Sequence, residues 1–215
     1  MEKTIKRNKE LIEKYPFLAP RGLNGKVLKD FKWTHNDFEL GMPQGWWKSW
    51  GLIYCQDLKE VCERNNIDLN SIYSIQVKEK YGGLRNYLNQ YPEEWLSHEF
   101  AWEYISEHTC VKCGKFPVRM RDDGWVCPWC DECFKENHNN LNEEDFVKYS
   151  EKWTIDKDDR LQEYLVINHF SKDGDYQEWI DMKPYYNKLG WKYTDKDLIL
   201  KDELEKLMEE KANAK

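Results

Sequence analysis

The stretch that decides the fold runs from residue 110 to residue 133 and is Cys110-Val-Lys-Cys113-Gly-Lys-Phe-Pro-Val-Arg-Met-Arg-Asp-Asp-Gly-Trp-Val-Cys127-Pro-Trp-Cys130-Asp-Glu-Cys133. It contains two C-x2-C pairs, Cys110 with Cys113 and Cys130 with Cys133, and sixteen residues separate them. Two thiolates placed two residues apart can turn toward one ion, and such paired spacings are typical of tetrahedral zinc sites. The sequence therefore predicts Zn²⁺ held by four thiolates. Because four protein ligands leave no open coordination position, we expect a structural metal.

Cys127 leaves one ambiguity in the ligand set, because it forms an overlapping C-x2-C pair with Cys130. We favour Cys130 and Cys133, since Cys130-Asp-Glu-Cys133 is typical of the first turn of a helix, with acidic residues near the positive end of the helix dipole. Whether Cys127 replaces Cys130 or Cys133 stays open at this point. A first pair, a hairpin that turns at 122–125 and a second pair opening a helix together resemble a treble-clef or zinc-ribbon module.

The composition favours a packed protein with an uneven distribution of charge. Aromatic residues make up 15% of the 215 residues, and no apolar run approaches the length of a membrane span. Residues 1–135 hold 20 basic and 20 acidic side chains, whereas residues 136–215 hold 13 and 20, so the net charge of −7 arises in the C-terminal third. This acidic third disfavours general binding to duplex DNA or to anionic membranes, which requires a basic surface. The clustering of five of the seven cysteines indicates a reducing cytoplasm rather than a disulfide framework.

The hydrophobic periodicity predicts an α+β fold in which helices accompany a small β-hairpin. The clearest helix is expected at 46–65, where apolar residues recur at helical spacing. Strand patterns at 72–80 and 84–88 flank the turn Tyr81-Gly82-Gly83, which predicts the hairpin. Further elements are expected as helices at 4–15, 93–108, 140–152 and from 194 or 195 toward 213, and as a strand at 164–170.

These elements suggest three parts of the chain. Residues 1–109 form a helical and β-hairpin core, residues 110–139 the zinc-binding module, and residues 140–215 an acidic, mainly helical C-terminal extension that includes a charged linker at 156–159. The extension could be a small subdomain of its own, or an arm that wraps the core or a partner.

Candidate binding residues lie on the predicted hairpin. The hairpin presents four side chains close together, Lys78, Lys80, Tyr81 and Arg85. The cations could contact the phosphates of a nucleotide while Tyr81 or a tryptophan such as Trp46 stacks on its base. A protein partner would instead use the aromatic side chains as anchors. The alternative is ordinary strand pairing, in which the lysines alternate between faces and Arg85 forms a salt bridge with Glu79.

Several short motifs follow one another in a particular order between residues 8 and 135. They are Tyr15-Pro16-Phe17-Leu-Ala-Pro20-Arg21, Gly45-Trp46, Ile75-Gln-Val-Lys78-Glu79-Lys80-Tyr81-Gly82-Gly83-Leu84-Arg85-Asn-Tyr87, Cys-x2-Cys-Gly and Gly124-Trp125-x3-Trp129-Cys130-x2-Cys133. This order resembles a family of small bacteriophage-encoded proteins of unassigned function. The resemblance implies a phage or prophage accessory protein that works in the cytoplasm of a bacterial host. In that family the position of Cys127 need not be a cysteine, which agrees with leaving it out of the ligand set.

Enzyme functions fit the sequence less well than binding functions. Cys110-x2-Cys113-Gly-Lys-Phe-Pro resembles the opening of zinc-containing HNH nucleases, but such enzymes need histidines between the two cysteine pairs. No histidine lies between Cys113 and Cys130, so a degenerate HNH-like nuclease or nucleic-acid-binding module ranks last. We expect a non-catalytic phage protein that occupies a host protein to counter antiviral defence. The alternative is sequestration of a small anionic nucleotide signal in a pocket of arginine, lysine and aromatic side chains.

Overall fold

The computed structural model describes residues 2–22, 25–28, 37–122, 124–138, 160–170, 172 and 174–214. The chain divides into two compact units, Met1–Trp153 and Thr154–Lys215. The finer three-part division stays a prediction, and the helix expected at 140–152 and the linker at 156–159 lie outside the described residues. Within the described ranges, every helix is too short or too polar to cross a membrane.

The first unit combines helices with two antiparallel hairpins, so the predicted α+β class is confirmed. Its helices are α1 (Glu2–Lys14), α2 (Asp37–Gly41), α3 (Gln44–Trp46), α4 (Leu52–Arg64), α5 (Trp95–Glu107) and α6 (Asp131–Asn137). Its strands are β1 (Ser74–Lys80) paired with β2 (Gly83–Leu88), and β3 (Arg119–Asp122) paired with β4 (Val126–Trp129). A π-helical turn, Trp47–Gly51, joins α3 to α4. The helix predicted at 46–65 is therefore present but is interrupted by this wider turn.

Aromatic side chains from the helices fill the core of the first unit. Trp46, Trp50 and Tyr54 are fully or almost fully buried, and their spacing of four residues places them on one helix face. The ring centroids of Trp50 and Trp102 are 5.4 Å apart, and those of Tyr54 and Trp95 are also 5.4 Å apart in an edge-on arrangement. Because each such ring removes roughly 150–250 Å² from water, this cluster dominates the hydrophobic stabilisation of the unit.

A buried carboxylate ties α4 to α5. Asp57 is 2% exposed, and its Oδ2 accepts a hydrogen bond of 2.8 Å from the indole Nε1 of Trp102. The Nδ1 atom of His98 lies 2.8 Å from the same oxygen. A carboxylate removed from water is costly unless it is hydrogen-bonded, and the two partners on α5 therefore make the α4–α5 pairing specific.

The predicted β1–β2 hairpin is confirmed, and it packs along α5. Its register places Lys78 opposite Arg85. The backbone N–H of Leu84 donates to the Ser106 hydroxyl at 2.7 Å, and Arg85 forms an ion pair with Glu103. The helix thus satisfies the backbone donor of Leu84 and holds the hairpin through one side-chain ion pair.

The second unit contains strands as well as helices. Its elements are β5 (Leu161–Gln162) paired in parallel with β8 (Leu198–Ile199), the antiparallel hairpin of β6 (Tyr164–His169) and β7 (Tyr176–Asp181), α7 (Lys183–Lys188) and α8 (Lys201–Asn213). The strand expected at 164–170 and the final helix are confirmed. In residues 160–214 the aromatic and β-branched residues of β6 and β7 form a pleated pair beside the helices, and the mainly helical character of the whole extension stays a prediction.

Candidate metal centre

Four cysteine side chains come together in the first unit. The Sγ atoms of Cys110, Cys113, Cys130 and Cys133 all lie within 4.8 Å of one another, and those of Cys113 and Cys130 are 3.6 Å apart. None of the four forms a disulfide, and all but Cys113 are buried. These are the four residues that the paired spacing predicted, and their arrangement could hold a metal ion.

Local backbone structure turns each pair inward. In the first pair, the N–H of Gly114 donates to the Cys110 carbonyl at 2.9 Å, and Gly114 has a φ of +80°, which glycine adopts without steric cost. In the second pair, Cys130 caps α6, and the N–H of Cys133 donates to the Cys130 sulfur at 3.4 Å. Two acidic residues occupy the first turn of α6, where the helix dipole favours negative charge.

The donor set fits a divalent ion that prefers sulfur. In a tetrahedral site with Zn–S bonds of about 2.3 Å, two sulfurs lie about 3.8 Å apart. The 3.6 Å between the sulfurs of Cys113 and Cys130 agrees with such an edge, whereas a disulfide would bring them to about 2.05 Å. The residues present are therefore suited to zinc coordination.

Burial opposes ionisation of most of these thiols. It raises the pKa of Cys133 to about 11 and also raises the pKa of Cys130. Burial acts in the same direction on Cys110, but hydrogen bonds to the backbone of Cys130, Cys113 and Lys112 outweigh it and lower the pKa of that thiol. Since the thiolate is the form that ligates a metal, a bound cation would stabilise the thiolate charges that burial disfavours.

Cys127 lies outside this cluster. It is buried in β4, in register with Arg121 of β3. Arg121 is itself buried and forms an ion pair with Asp131 in the first turn of α6, while its guanidinium lies 5.0 Å from the Phe134 ring centroid. The second half of the cluster is thus Cys130 and Cys133, and the β3–β4 hairpin braces the helix that carries them.

The first cysteine pair docks directly on the start of the long helical segment. The N–H of Gly45 donates to the Val111 carbonyl at 2.8 Å. A Cβ atom on Gly45 would lie 2.2 Å from the carbonyl oxygen of Cys110 and 2.7 Å from the backbone nitrogen of Gly114. Only a residue without a side chain permits this approach, so Gly45 is a positioning residue that reasoning from the sequence did not identify.

Trp46 belongs to the same docking contact, which corrects its prediction as a binding residue. Its side chain is 0% exposed, and its indole N–H donates to the Thr109 carbonyl at 2.8 Å. The indole N–H of Trp50 donates to the hydroxyl of the same threonine at 3.1 Å. Both tryptophans therefore anchor the residue that precedes Cys110, and Trp46 is not available to a ligand or partner.

The two histidines nearest in sequence do not join the cluster. The Nδ1 atoms of His108 and His138 lie 2.8 Å and 2.9 Å from the carbonyl oxygens of Tyr104 and Phe134, and burial lowers the pKa of His108. Across the part of the chain that the structure describes, the four cysteines are the one grouping of three or more histidine, cysteine or carboxylate donors close enough to share an ion.

Lys78 and Arg85 of the predicted binding residues lie opposite each other in the hairpin, but Arg85 has an intramolecular partner that differs from the Glu79 of the alternative interpretation. Arg85 pairs with Glu103 on α5 rather than with Glu79. The ammonium groups of Lys78 and Lys80 lie over the rings of Tyr87 at 5.3 Å and Tyr81 at 5.4 Å. The arrangement therefore presents lysines flanked by aromatic rings, with the guanidinium engaged in an intramolecular ion pair.

The turns of the two hairpins meet, and we call the surface formed there by Lys80, Tyr81 and Trp125 the tip surface. The side chain of Glu79 links the turns, since it accepts hydrogen bonds from the Gly82 N–H at 2.6 Å and from the Trp125 indole at 3.3 Å. Tyr81 is 70% exposed and Trp125 is 65% exposed. Tyr81 also has a φ of +52°, a left-handed conformation that is unfavourable for a bulky side chain.

Comparison of the chain with protein-family models, with curated proteins and with solved structures gives no match. Its function is consequently inferred from its own residues and their geometry.

Proposed function

We propose that this chain is a non-catalytic phage accessory protein that binds and occupies a host protein in the bacterial cytoplasm, thereby countering antiviral defence. One structural Zn²⁺ in a treble-clef-like module would hold the binding surface in place. The observation that carries the proposal is the tip surface, where Tyr81 and Trp125 stand largely exposed on adjoining hairpin turns.

The chemistry of the cysteine cluster supports a structural role for the metal. Four thiolates complete a tetrahedral coordination shell and leave no position for water or substrate. The metal would then join the turn at 110–113 to the N-terminus of α6, and the β3–β4 hairpin is the segment of chain between them. Because Trp125 lies in the turn of that hairpin, the metal would also fix one half of the tip surface.

The conformation of Tyr81 supports a role in recognition. A left-handed backbone costs a residue with a side chain roughly 1–2 kcal/mol, and glycine would avoid that cost. Tyr81 is nevertheless a tyrosine, and 70% of it is exposed, so its ring contributes little to the core. Strained residues cluster at binding sites, and tyrosine and tryptophan are the residues enriched among the strongest contributors to protein interfaces.

A protein partner is better supported than a nucleotide. A nucleotide pocket on the hairpin would use the Arg85 guanidinium for phosphate, but that group is already paired with Glu103. The two described cavities are lined by other residues and include neither Tyr81 nor Arg85. The exposed rings, flanked by Lys78 and Lys80, suit a partner surface that combines an apolar pocket with acidic side chains.

The proposal is tested by affinity purification from bacterial lysate followed by quantitative mass spectrometry. The variants Tyr81→Ser and Trp125→Ser remove the two anchors, and Phe170→Ser is the matched control because Phe170 is an aromatic residue of the second unit that is 80% exposed. We expect one host protein to be retained by wild type and control, and to be reduced roughly 30-fold by each tip variant, since an interface anchor contributes about 2 kcal/mol.

Two results would contradict the proposal. A host protein retained equally by both tip variants would place the interface elsewhere. Alternatively, native mass spectrometry could detect a bound nucleotide that is lost in Lys80→Ala and retained in Tyr81→Ser and Trp125→Ser. The function would then be sequestration of a nucleotide and not occupation of a host protein.

A further inference from the structure

A second candidate site lies on the helical side of the first unit, in a cavity of about 650 Å³ between α1, α2 and the π-helical turn. Its volume is within the range of cavities that hold small organic ligands. The apolar part of its lining comes from Leu11, Leu40, Met42, Trp47, Leu52 and Ile53. Leu40 and Leu52 are 62% and 46% exposed, so this apolar lining is open to a ligand from solvent.

The backbone beneath the cavity has an unusual form. Trp47–Gly51 is a π-helical turn, and such turns occur frequently at functional sites. A Cβ atom on Gly51 would lie 2.3 Å from Cε3 of Trp47, which shows that the indole is folded against the bare backbone of Gly51. The glycine therefore allows Trp47 to form a flat, fixed wall of the cavity.

The charged side chains of the lining leave one cation uncompensated. Arg7 and Glu39 form an ion pair at 3.0 Å and offset each other. Lys48 also lines the cavity, and no carboxylate in the described part of the chain lies within ion-pair distance of its ammonium group. The charged residues that the structure describes in the lining thus sum to +1, which complements a single negative charge better than a di- or triphosphate.

We propose that this cavity binds an amphipathic monoanion, in which an apolar body lies against Trp47, Leu40 and Leu52 and a carboxylate or sulfonate head pairs with Lys48. The ligand class follows from the combination of an apolar wall with a polar rim that carries one cation without a carboxylate partner among the described residues. This site is separate from the tip surface and does not depend on the proposed protein partner.

The test uses the full-length, metal-loaded protein and the probe 1-anilinonaphthalene-8-sulfonate, whose fluorescence reports transfer to an apolar site. We expect saturable binding of one probe per chain, and displacement of the probe by decanoate but not by decylamine at equal concentration. Lys48→Gln should weaken decanoate binding about fivefold, the upper range for a single exposed ion pair. Lys6→Gln is the matched control, because Lys6 is an exposed lysine of α1 that does not line the cavity.

The apolar wall is tested separately by Leu40→Ser, which should weaken decanoate binding, whereas Leu207→Ser, an exposed leucine of the second unit, should not. Melting curves establish that each variant is folded. Equal affinity for decanoate and decylamine, or unchanged decanoate binding in Lys48→Gln, would overturn the assignment of the ligand charge. Displacement of the probe by amphipathic peptides but not by decanoate would overturn the small-molecule ligand and make the cavity part of a protein interface.

Discussion

Replacing Glu107 with glutamine should stabilise the protein at alkaline pH. Glu107 lies on α5 in line with Glu99 and Glu103, at spacings of four residues, and packs against the backbone of Gly83. Burial and, to a smaller extent, the negative charge of Glu103 raise the pKa of Glu107, and Arg85 only partly offsets them, so that the pKa lies at about 7. Glutamine keeps the shape of the side chain and removes the charge.

The direction in which stability changes with pH follows from the direction of the pKa shift. A carboxyl whose pKa is higher in the folded than in the unfolded state contributes full stability below its ordinary pKa of 4.5, and this contribution is lost as the pH rises through about 7. At a pH above both the folded and the unfolded pKa, the full shift corresponds to a loss of about 3 kcal/mol in the free energy of unfolding. Because Glu107 retains contact with solvent, we take about half, so Glu107→Gln should gain about 1.5 kcal/mol at pH 8.5 and about 0.6 kcal/mol at pH 5.5.

The assay is thermal unfolding of the metal-loaded protein at pH 5.5 and pH 8.5. The expected gain at pH 8.5 is about 3–6 °C in Tm for a domain of this size. Glu94→Gln, at the residue before α5, is the control and should change the stability in the opposite direction. The hydrogen bond from Arg64 lowers the pKa of Glu94, so removing the charge of Glu94 should slightly destabilise the protein at pH 8.5. A Glu107→Gln variant that is destabilised at pH 8.5, or shifted equally at both pH values, would refute this reasoning.

Three further substitutions test the packing around the metal centre and the core, each by thermal unfolding and metal analysis. Gly45→Ala should lower the free energy of unfolding by about 3 kcal/mol and weaken metal retention, because the added Cβ would overlap the Cys110 carbonyl. Ser49→Ala on the same segment is the control, and equal melting temperatures of the two variants would contradict the docking contact. Asp57→Ala should cost about 3 kcal/mol, because Trp102 and His98 lose their shared buried acceptor; a loss below about 1 kcal/mol would contradict the role of that carboxylate. Cys127→Ser should retain the full metal content, and loss of metal would make Cys127 a ligand.

The cysteine cluster was predictable because the spacing of metal-binding pairs is a local property. Two thiols that are two residues apart meet within one turn, whatever the rest of the chain does. That Cys127 lies outside the cluster was only partly predictable. It depends on the strand register, which places Cys127 of β4 opposite Arg121 of β3. Helix and hairpin positions were likewise available from periodicity, since they depend on neighbours in sequence.

The remaining features depend on contacts between residues that are far apart in sequence. Gly45 faces Cys110 across 65 positions, so the reason for the glycine is visible only once the two segments are packed. Trp46 was predicted to bind a ligand or partner, but a large aromatic residue suits a protein core equally well. Only its packing against Thr109 shows that Trp46 belongs to the core. Arg85 was predicted to bind a ligand or partner, with a salt bridge to Glu79 as the alternative, but the position of α5 supplies Glu103 as its partner.

The central claim is that one zinc ion, held by four thiolates, organises the module that carries part of the tip surface. It is tested most directly by measuring metal content together with zinc K-edge X-ray absorption on the purified protein. The account predicts one zinc per chain with four sulfur neighbours at about 2.3 Å. Zinc well below one per chain, or a shell in which oxygen or nitrogen replaces sulfur, would contradict a closed structural site and reopen the question of catalysis at the metal.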